Sequence, residues 1–107
     1  MKIIKIGLIA LALLFTSNKP FASTPKEVFI AQGCNNCHTV LVEKIPHKEG
    51  SDEKSKDLSK VGLDHDKKWF AGWLLKKNEV NGEKHKKSFT GTTEELKLIS
   101  TWLEGLK

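Results

Sequence analysis

The chain has 107 residues, of which 29% are charged, and its formal net charge is +5. This length allows one domain, whose core is marginal in size without a disulfide, a metal or a cofactor. Three of the lysines lie in the first 19 residues, so little surplus positive charge remains in the rest of the chain and we expect no nucleic-acid partner.

The first 22 residues have the composition of a secretory signal peptide. Two early lysines precede an uncharged apolar run, residues 6–15, and a short polar stretch follows it. A membrane span needs about 20 apolar residues, so we expect cleavage after Ala22, with Ser23 as the alternative site. Loss of 22 residues and three lysines leaves one 85-residue domain, residues 23–107, with a formal net charge of +2. We expect this domain in the periplasm, without stable membrane insertion.

The first predicted helix begins at Pro25, a residue that suits the first helical position. Thr24 before it and Glu27 after it form a capping box, in which each side chain bonds to the backbone N–H of the other residue. Phe29 belongs to the apolar side of this helix. Gly33 is expected to end it.

The second predicted helix spans about residues 64–77. Asp64 and Asp66 favour its N-terminus, and two lysines favour its C-terminus. One broad apolar face is formed by Trp69, Phe70, Trp73 and Leu74.

The third predicted helix begins with a second capping box, in the stretch Thr92-Thr93-Glu94-Glu95. It carries one apolar stripe at helical spacing, formed by Leu96, Ile99, Trp102, Leu103 and Leu106. No segment has the pattern of a strand, so the predicted fold class is all-α. A connection as long as residues 39–63 is unusual in so small a domain unless something organises it. Because the helices offer few core residues, a large apolar cofactor would complete the centre of the domain.

The stretch AQGCNNCHTV places Cys34, Cys37 and His38 within five residues. A thioredoxin-like redox pair would sit beside a βαβ pattern, which the sequence lacks. A structural zinc site would need four ligands, and the sequence has no second closely spaced ligand pair to complete them. Cys-x-x-Cys-His is the signature of covalent haem attachment. We therefore predict one haem c, with Cys34 and Cys37 as thioether anchors and His38 as the proximal iron ligand.

With this motif, the chain resembles the small class I monohaem cytochromes c over all of residues 23–107. The resemblance is carried by the stretches VFIAQGCNNCHTV, DLSKVGLDHDKKWFAGWLLKK and FTGTTEELKLISTWLEGLK. It implies a cytochrome c-like three-helix fold wrapped around one haem, and electron transfer as the activity. It also implies that Phe29 packs against Trp102.

The chain departs from this family at the sixth iron ligand, which is usually a methionine before the last helix. Met1 is the only methionine in the sequence. His85 stands in the place of the usual ligand, and we predict that it is the distal ligand. The alternatives are His47, His65, a lysine such as Lys84 or Lys86, and an open sixth position. We expect His47 and His65 to be exposed to solvent.

A second departure concerns the hydrogen bond to the proximal histidine. Family members usually carry Gly-Pro in the loop before the middle helix, and the proline carbonyl accepts the N–H of that histidine. Here Ser55-Lys56 occupies that place. The Lys56 carbonyl can still accept from His38, but the rigidity of proline is lost.

We therefore expect a monomeric, exported electron carrier and no enzyme, since no general acid/base pair stands out. A second imidazole in place of sulfur predicts a lower reduction potential. The alternatives are a haem enzyme or sensor whose sixth position opens to peroxide or a gas, and a haem subunit of a larger redox complex. Five lysines are expected near the haem edge and would favour acidic redox partners, unless they form only a solvated surface: Lys76, Lys77, Lys84, Lys86 and Lys87.

Overall fold

The computed structural model describes residues 24–51 and 55–107, and the signal peptide predicted for residues 1–22 lies outside them. Within these residues the regular structure is helical, with no strand beyond two isolated bridges. The helices are α1 (Pro25–Ala31), α2 (Lys67–Leu74) and α3 (Thr93–Glu104). Short 3₁₀ turns lie at Cys34–Asn36, Leu41–Glu43 and Val61–Leu63. The predicted all-α class is thus confirmed for the described residues, none of whose helices has the length and hydropathy needed to cross a membrane.

Both predicted capping boxes are present. In α1 the hydroxyl of Thr24 accepts from the backbone N–H of Glu27 at 3.1 Å, and the Glu27 carboxylate accepts from the N–H of Thr24 at 2.8 Å. Thr92 and Glu95 repeat this arrangement at the start of α3, at 3.1 and 2.9 Å. Each such cap stabilises its helix by about 1 kcal/mol. Local sequence signals therefore fix where both helices begin.

Helix α2 is three residues shorter at each end than predicted. Asp66, rather than Asp64, is the N-cap, because its carboxylate accepts from the N–H of Trp69 at 2.9 Å. At the other end Lys76 adopts a left-handed conformation with φ of 62°. The N–H of Lys77 then bonds back to the carbonyl of Gly72 at 2.8 Å, which closes the helix.

Helix α3 forms the centre of the core and packs against both α1 and α2. Phe29 and Trp102 meet edge to face, with ring centres 5.7 Å apart and planes at 63°, so their predicted contact is confirmed. The predicted stripe also faces inward: Ile99, Leu103 and Leu106 are buried, and Leu96 and Trp102 pack against them half-buried.

The segment before α2 is joined to the end of α3 by a close backbone approach at Gly62. Its N–H donates to the carbonyl of Leu106 at 2.6 Å. A Cβ atom on Gly62 would collide with the carbonyl groups of Glu104 and Leu106. Only glycine allows this approach, which fixes the position of the segment entering α2.

The long connection between α1 and α2 is organised by the Asp57 carboxylate. It accepts hydrogen bonds from the Thr39 hydroxyl at 2.6 Å, from the N–H of Leu41 at 3.0 Å and from the N–H of Ser59 at 3.3 Å. The hydrogen bond from Thr39 is the main reason why the pKa of Asp57 falls to about 2. The expected organising element is thus, in part, a side chain of the connection itself.

Replacing Asp57 with Ala is expected to lower the free energy of unfolding by about 1–2 kcal/mol, since the lost bonds involve a charged but exposed group. The folded-state pKa lies below the unfolded value, so this stabilisation is complete above about pH 4 and is lost as the pH falls toward 2. Urea unfolding of both proteins should show their difference near pH 7 and a smaller difference near pH 3. The matched control is Asp64→Ala, which breaks an exposed 3.7 Å ion pair with Lys56 and should cost less than about 0.5 kcal/mol. A difference independent of pH would contradict this role of the carboxylate.

Candidate functional site

The two cysteines lie on a tight turn directly after α1. Gly33 enters this turn with φ of 76°, and the carbonyl of Cys34 accepts from the N–H groups of Cys37 at 3.2 Å and of His38 at 2.9 Å. Both thiols are free and half-buried. Burial raises the pKa of the Cys34 thiol to about 11, so it is protonated at neutral pH. A redox-active cysteine pair needs the opposite shift, toward a reactive thiolate.

The imidazole rings of His38 and His85 face each other across the centre of the site. Their ring centres are 6.3 Å apart and their planes differ by 15°. A metal ion bound in line between two imidazole nitrogens lies about 2.0–2.1 Å from each of them, and each nitrogen lies about 1.1 Å from its ring centre. The two ring centres would then be slightly more than 6 Å apart, by roughly the sum of these four lengths. The observed 6.3 Å between ring centres is long enough for one metal ion to lie between the two rings.

Backbone carbonyls fix the orientation of both rings. Nδ1 of His38 lies 2.7 Å from the carbonyl oxygen of Lys56, and Nδ1 of His85 lies 2.7 Å from that of Lys87. A carbonyl only accepts, so each Nδ1 carries the proton and each Nε2 keeps its lone pair for a metal. The hydrogen bond that the Lys56 carbonyl was expected to allow is present, although no proline stands there.

The surroundings also keep both imidazoles neutral. Burial lowers the pKa of His38 and of His85 below the usual imidazole value, and the hydrogen bonds to the carbonyls oppose this only in part. A neutral imidazole is the form that binds a metal.

The other two candidate histidine ligands, His47 and His65, make contacts away from the ring of His38. Nε2 of His47 lies 2.9 Å from the carbonyl oxygen of Cys37. The ring of His65 stacks on Trp69, with ring centres 3.5 Å apart and planes at 7°. Both are half-buried, so the expectation that they are solvent-exposed was wrong. Of the three histidines considered as distal ligand, His85 is the one whose ring lies opposite His38.

A row of aromatic rings on α2 leads to the site. The rings of Trp69 and Trp73 are 5.3 Å apart at 16°, and Trp73 is 5.4 Å from His85 at 49°. The spacing of these tryptophans predicted a packing face, but their contact with His85 had no local signal in the sequence. They supply a half-buried aromatic wall beside the facing imidazoles.

The donor set fits a haem. Residues 24–51 and 55–107 contain no group of three or more His, Cys, Asp or Glu side chains placed to hold a metal ion, so this part of the chain offers the two histidines and no complete ligand shell. A haem iron takes four ligands from its own macrocycle and needs only axial ligands from the protein. Two facing imidazoles and two free thiols close to one of them in sequence are such a set.

Comparison with known proteins adds no relative: no protein-family model, no curated protein and no solved structure matches this chain. The likeness to the class I cytochromes c thus rests on the sequence motifs. The facing pair His38 and His85 and the carbonyl of Lys56 are separate, geometric observations.

Proposed function

We propose that this chain is an exported electron-transfer protein with one covalently attached c-type haem, ligated by His38 and His85. The observation that supports this most directly is the pair of facing imidazoles, 6.3 Å apart. Both Nδ1 atoms are occupied by carbonyls, which leaves both Nε2 atoms for iron.

The residues of the site have distinct tasks in this proposal. Cys34 and Cys37 anchor the haem through thioether bonds. The turn that holds them continues directly into His38, whose N–H is bonded to the carbonyl of Cys34. The haem supplies a one-electron couple between ferric and ferrous iron. The carbonyls of Lys56 and Lys87 polarise the two imidazoles and strengthen them as donors. Stronger donors favour the ferric state, so we expect a reduction potential below that of a His/Met site.

The first test is the nature of the haem bond. The full chain is expressed with its leader in a host that attaches c-type haem, and the pigment is extracted with acidified acetone. The pigment should stay with the polypeptide. Its transfer to the organic phase would show that the haem is not covalently held.

The second test separates a carrier from a haem enzyme or sensor. With both imidazoles bound, the iron should be six-coordinate and low-spin in both oxidation states. Carbon monoxide should leave the ferrous spectrum unchanged on mixing and should bind only slowly, after His85 has left the iron. A high-spin spectrum, or rapid binding of carbon monoxide to the wild-type protein, would favour the enzyme or sensor.

Electron exchange with an acidic redox partner is expected to slow as salt rises. Lys76 directly follows the C-cap residue of α2, at the start of the segment that carries His85. Lys84 and Lys87 are exposed on the same loop as His85. Raising the ionic strength from about 10 mM to about 200 mM should slow stopped-flow transfer roughly tenfold, because steering by exposed charges is screened.

A pair of charge reversals localises this effect. Lys84→Glu should slow transfer at low salt, whereas Lys97→Glu, the same change at an exposed position of α3, should have a smaller effect. A rate that does not depend on salt, or equal effects of the two variants, would leave these lysines as an ordinary solvated surface.

A further inference from the structure

His85 lies on a loop, residues 75–91, that has no regular structure beyond one isolated bridge between Val80 and Glu83. The loop is closed at its base, where the N–H of Phe89 donates to the carbonyl of Leu74 at 3.0 Å. The hydrogen bond from His85 to Lys87 is internal to the loop. It orients the ring within the loop, but it does not fix the loop relative to His38.

A link between this loop and the cysteine motif is provided by Gln32. Its side-chain oxygen accepts from the backbone N–H of Thr90 at 3.0 Å and from the Thr90 hydroxyl at 3.2 Å. The backbone N–H can only donate, so the atom of Gln32 that faces it is the oxygen. Gln32 is also the C-cap residue of α1 and stands two residues before Cys34. One side chain thus joins the segment that precedes His38 to the loop that carries His85.

We infer that Gln32 is a positioning residue that keeps His85 on the iron by tying its loop to the haem-attachment segment. This inference rests on the proposed function, because it assumes that His38 and His85 ligate one iron. Without the Gln32 hydrogen bonds, the N–H and hydroxyl of Thr90 exchange their partner for water. The loop then keeps the base bond from Phe89 to Leu74, the bond from Asn78 to the Trp69 carbonyl and the ring contact of His85 with Trp73. The fraction of molecules in which His85 has left the iron then rises.

The experiment measures how often His85 leaves. An external ligand binds only when the sixth position is free, so the rate of cyanide binding to the ferric protein and of carbon monoxide binding to the ferrous protein reports the open fraction. Gln32→Leu removes both hydrogen bonds and should raise these rates by about 5- to 30-fold. Thr90→Val removes only the hydroxyl and should raise them by about two- to fivefold. Both variants should keep the covalent haem and a low-spin resting spectrum.

Three further variants separate positioning from general destabilisation. Gln32→Glu retains an acceptor oxygen and should stay within about twofold of the wild-type rate. Thr24→Ala removes the cap at the opposite end of α1, so it should lower the melting temperature without changing the rate of ligand binding. Thr90→Val should have no further effect in the Gln32→Leu background, since the acceptor of that hydroxyl is already absent.

Wild-type binding rates in Gln32→Leu and Thr90→Val would overturn the inference, as would an equal increase in Thr24→Ala. If Gln32→Leu does not accumulate as a haem protein, the comparison of Thr90→Val with Thr24→Ala decides in the same way. Failure of the proposed function looks different: the wild-type protein itself would lack covalent haem or bind carbon monoxide at once. A low-spin wild-type protein with unaltered variants would reject only the role of Gln32.

Discussion

Replacing His85 with Ala is expected to give a high-spin ferric spectrum at neutral pH and a ferrous form that binds carbon monoxide. His85 faces His38 at 6.3 Å and has its Nε2 free, and alanine offers the iron no donor atom. The covalent haem should remain, because Cys34, Cys37 and His38 are unchanged. Absorption and electron paramagnetic resonance spectra of the purified protein measure the change directly, and conversion should be nearly complete.

The matched controls are the same substitutions at His47 and His65. These rings contact the carbonyl of Cys37 and the ring of Trp69, respectively, so their loss should leave the iron low-spin. A wild-type spectrum from His85→Ala would refute the assignment, and a high-spin spectrum from either control would transfer it to that residue. The wild-type protein should also lack the near-infrared band of sulfur ligation.

The substitution His85→Met tests the same ligand through the reduction potential of the haem. If the loop brings the sulfur to the iron, His85→Met should raise the reduction potential, because thioether sulfur favours ferrous iron. Potentiometric titration of both proteins measures the difference. In a His85→Met protein that shows the near-infrared band of sulfur ligation, a potential equal to or below that of the wild type would contradict the expected donor strength of the second imidazole.

The features that the sequence predicted correctly are governed by neighbours in the chain. Thr24 with Glu27, and Thr92 with Glu95, form capping boxes within a single turn, and such short-range bonds depend little on the rest of the fold. The apolar stripe of α3 follows from helical periodicity in the same way. The start of α2 was harder, because Asp64 and Asp66 are both good cap residues and only the folded backbone selects one.

One contact that sequence reasoning missed joins residues far apart in the chain. Gln32 and Thr90 are separated by 58 positions, and no local pattern indicates that they meet. The contacts of His47 with Cys37 and of His65 with Trp69 span only ten and four positions, and they were missed because both histidines were expected to be exposed. The facing of His38 and His85 was predicted only through the resemblance to a family. The structure gives it a geometric basis in the two carbonyls that orient the rings.

Replacing either Cys34 or Cys37 with Ala is expected to reduce the yield of haem protein on the order of tenfold, and the double substitution to abolish covalent haem. The described residues bury only ten hydrophobic side chains, so in the proposed haem protein loss of the haem would remove part of the interior. A haem held by His38 and His85 alone also dissociates, and the stability that it confers then depends on its concentration. Pigment yield per polypeptide and the pyridine haemochrome spectrum, which distinguishes two thioethers from one, measure both effects.

Asn36→Ala is the matched control, because Asn36 is exposed and lies between the two cysteines in the same turn. This change keeps both thiols, their spacing and His38, so the haem should stay attached in wild-type yield. The two single cysteine variants should each retain one thioether and part of the fold, and circular dichroism should show less helix in the double variant than in either. Equal loss of haem from Asn36→Ala would mean that the turn, and not the thiols, holds the pigment. Full retention of haem in the double variant would mean that the histidines alone are sufficient.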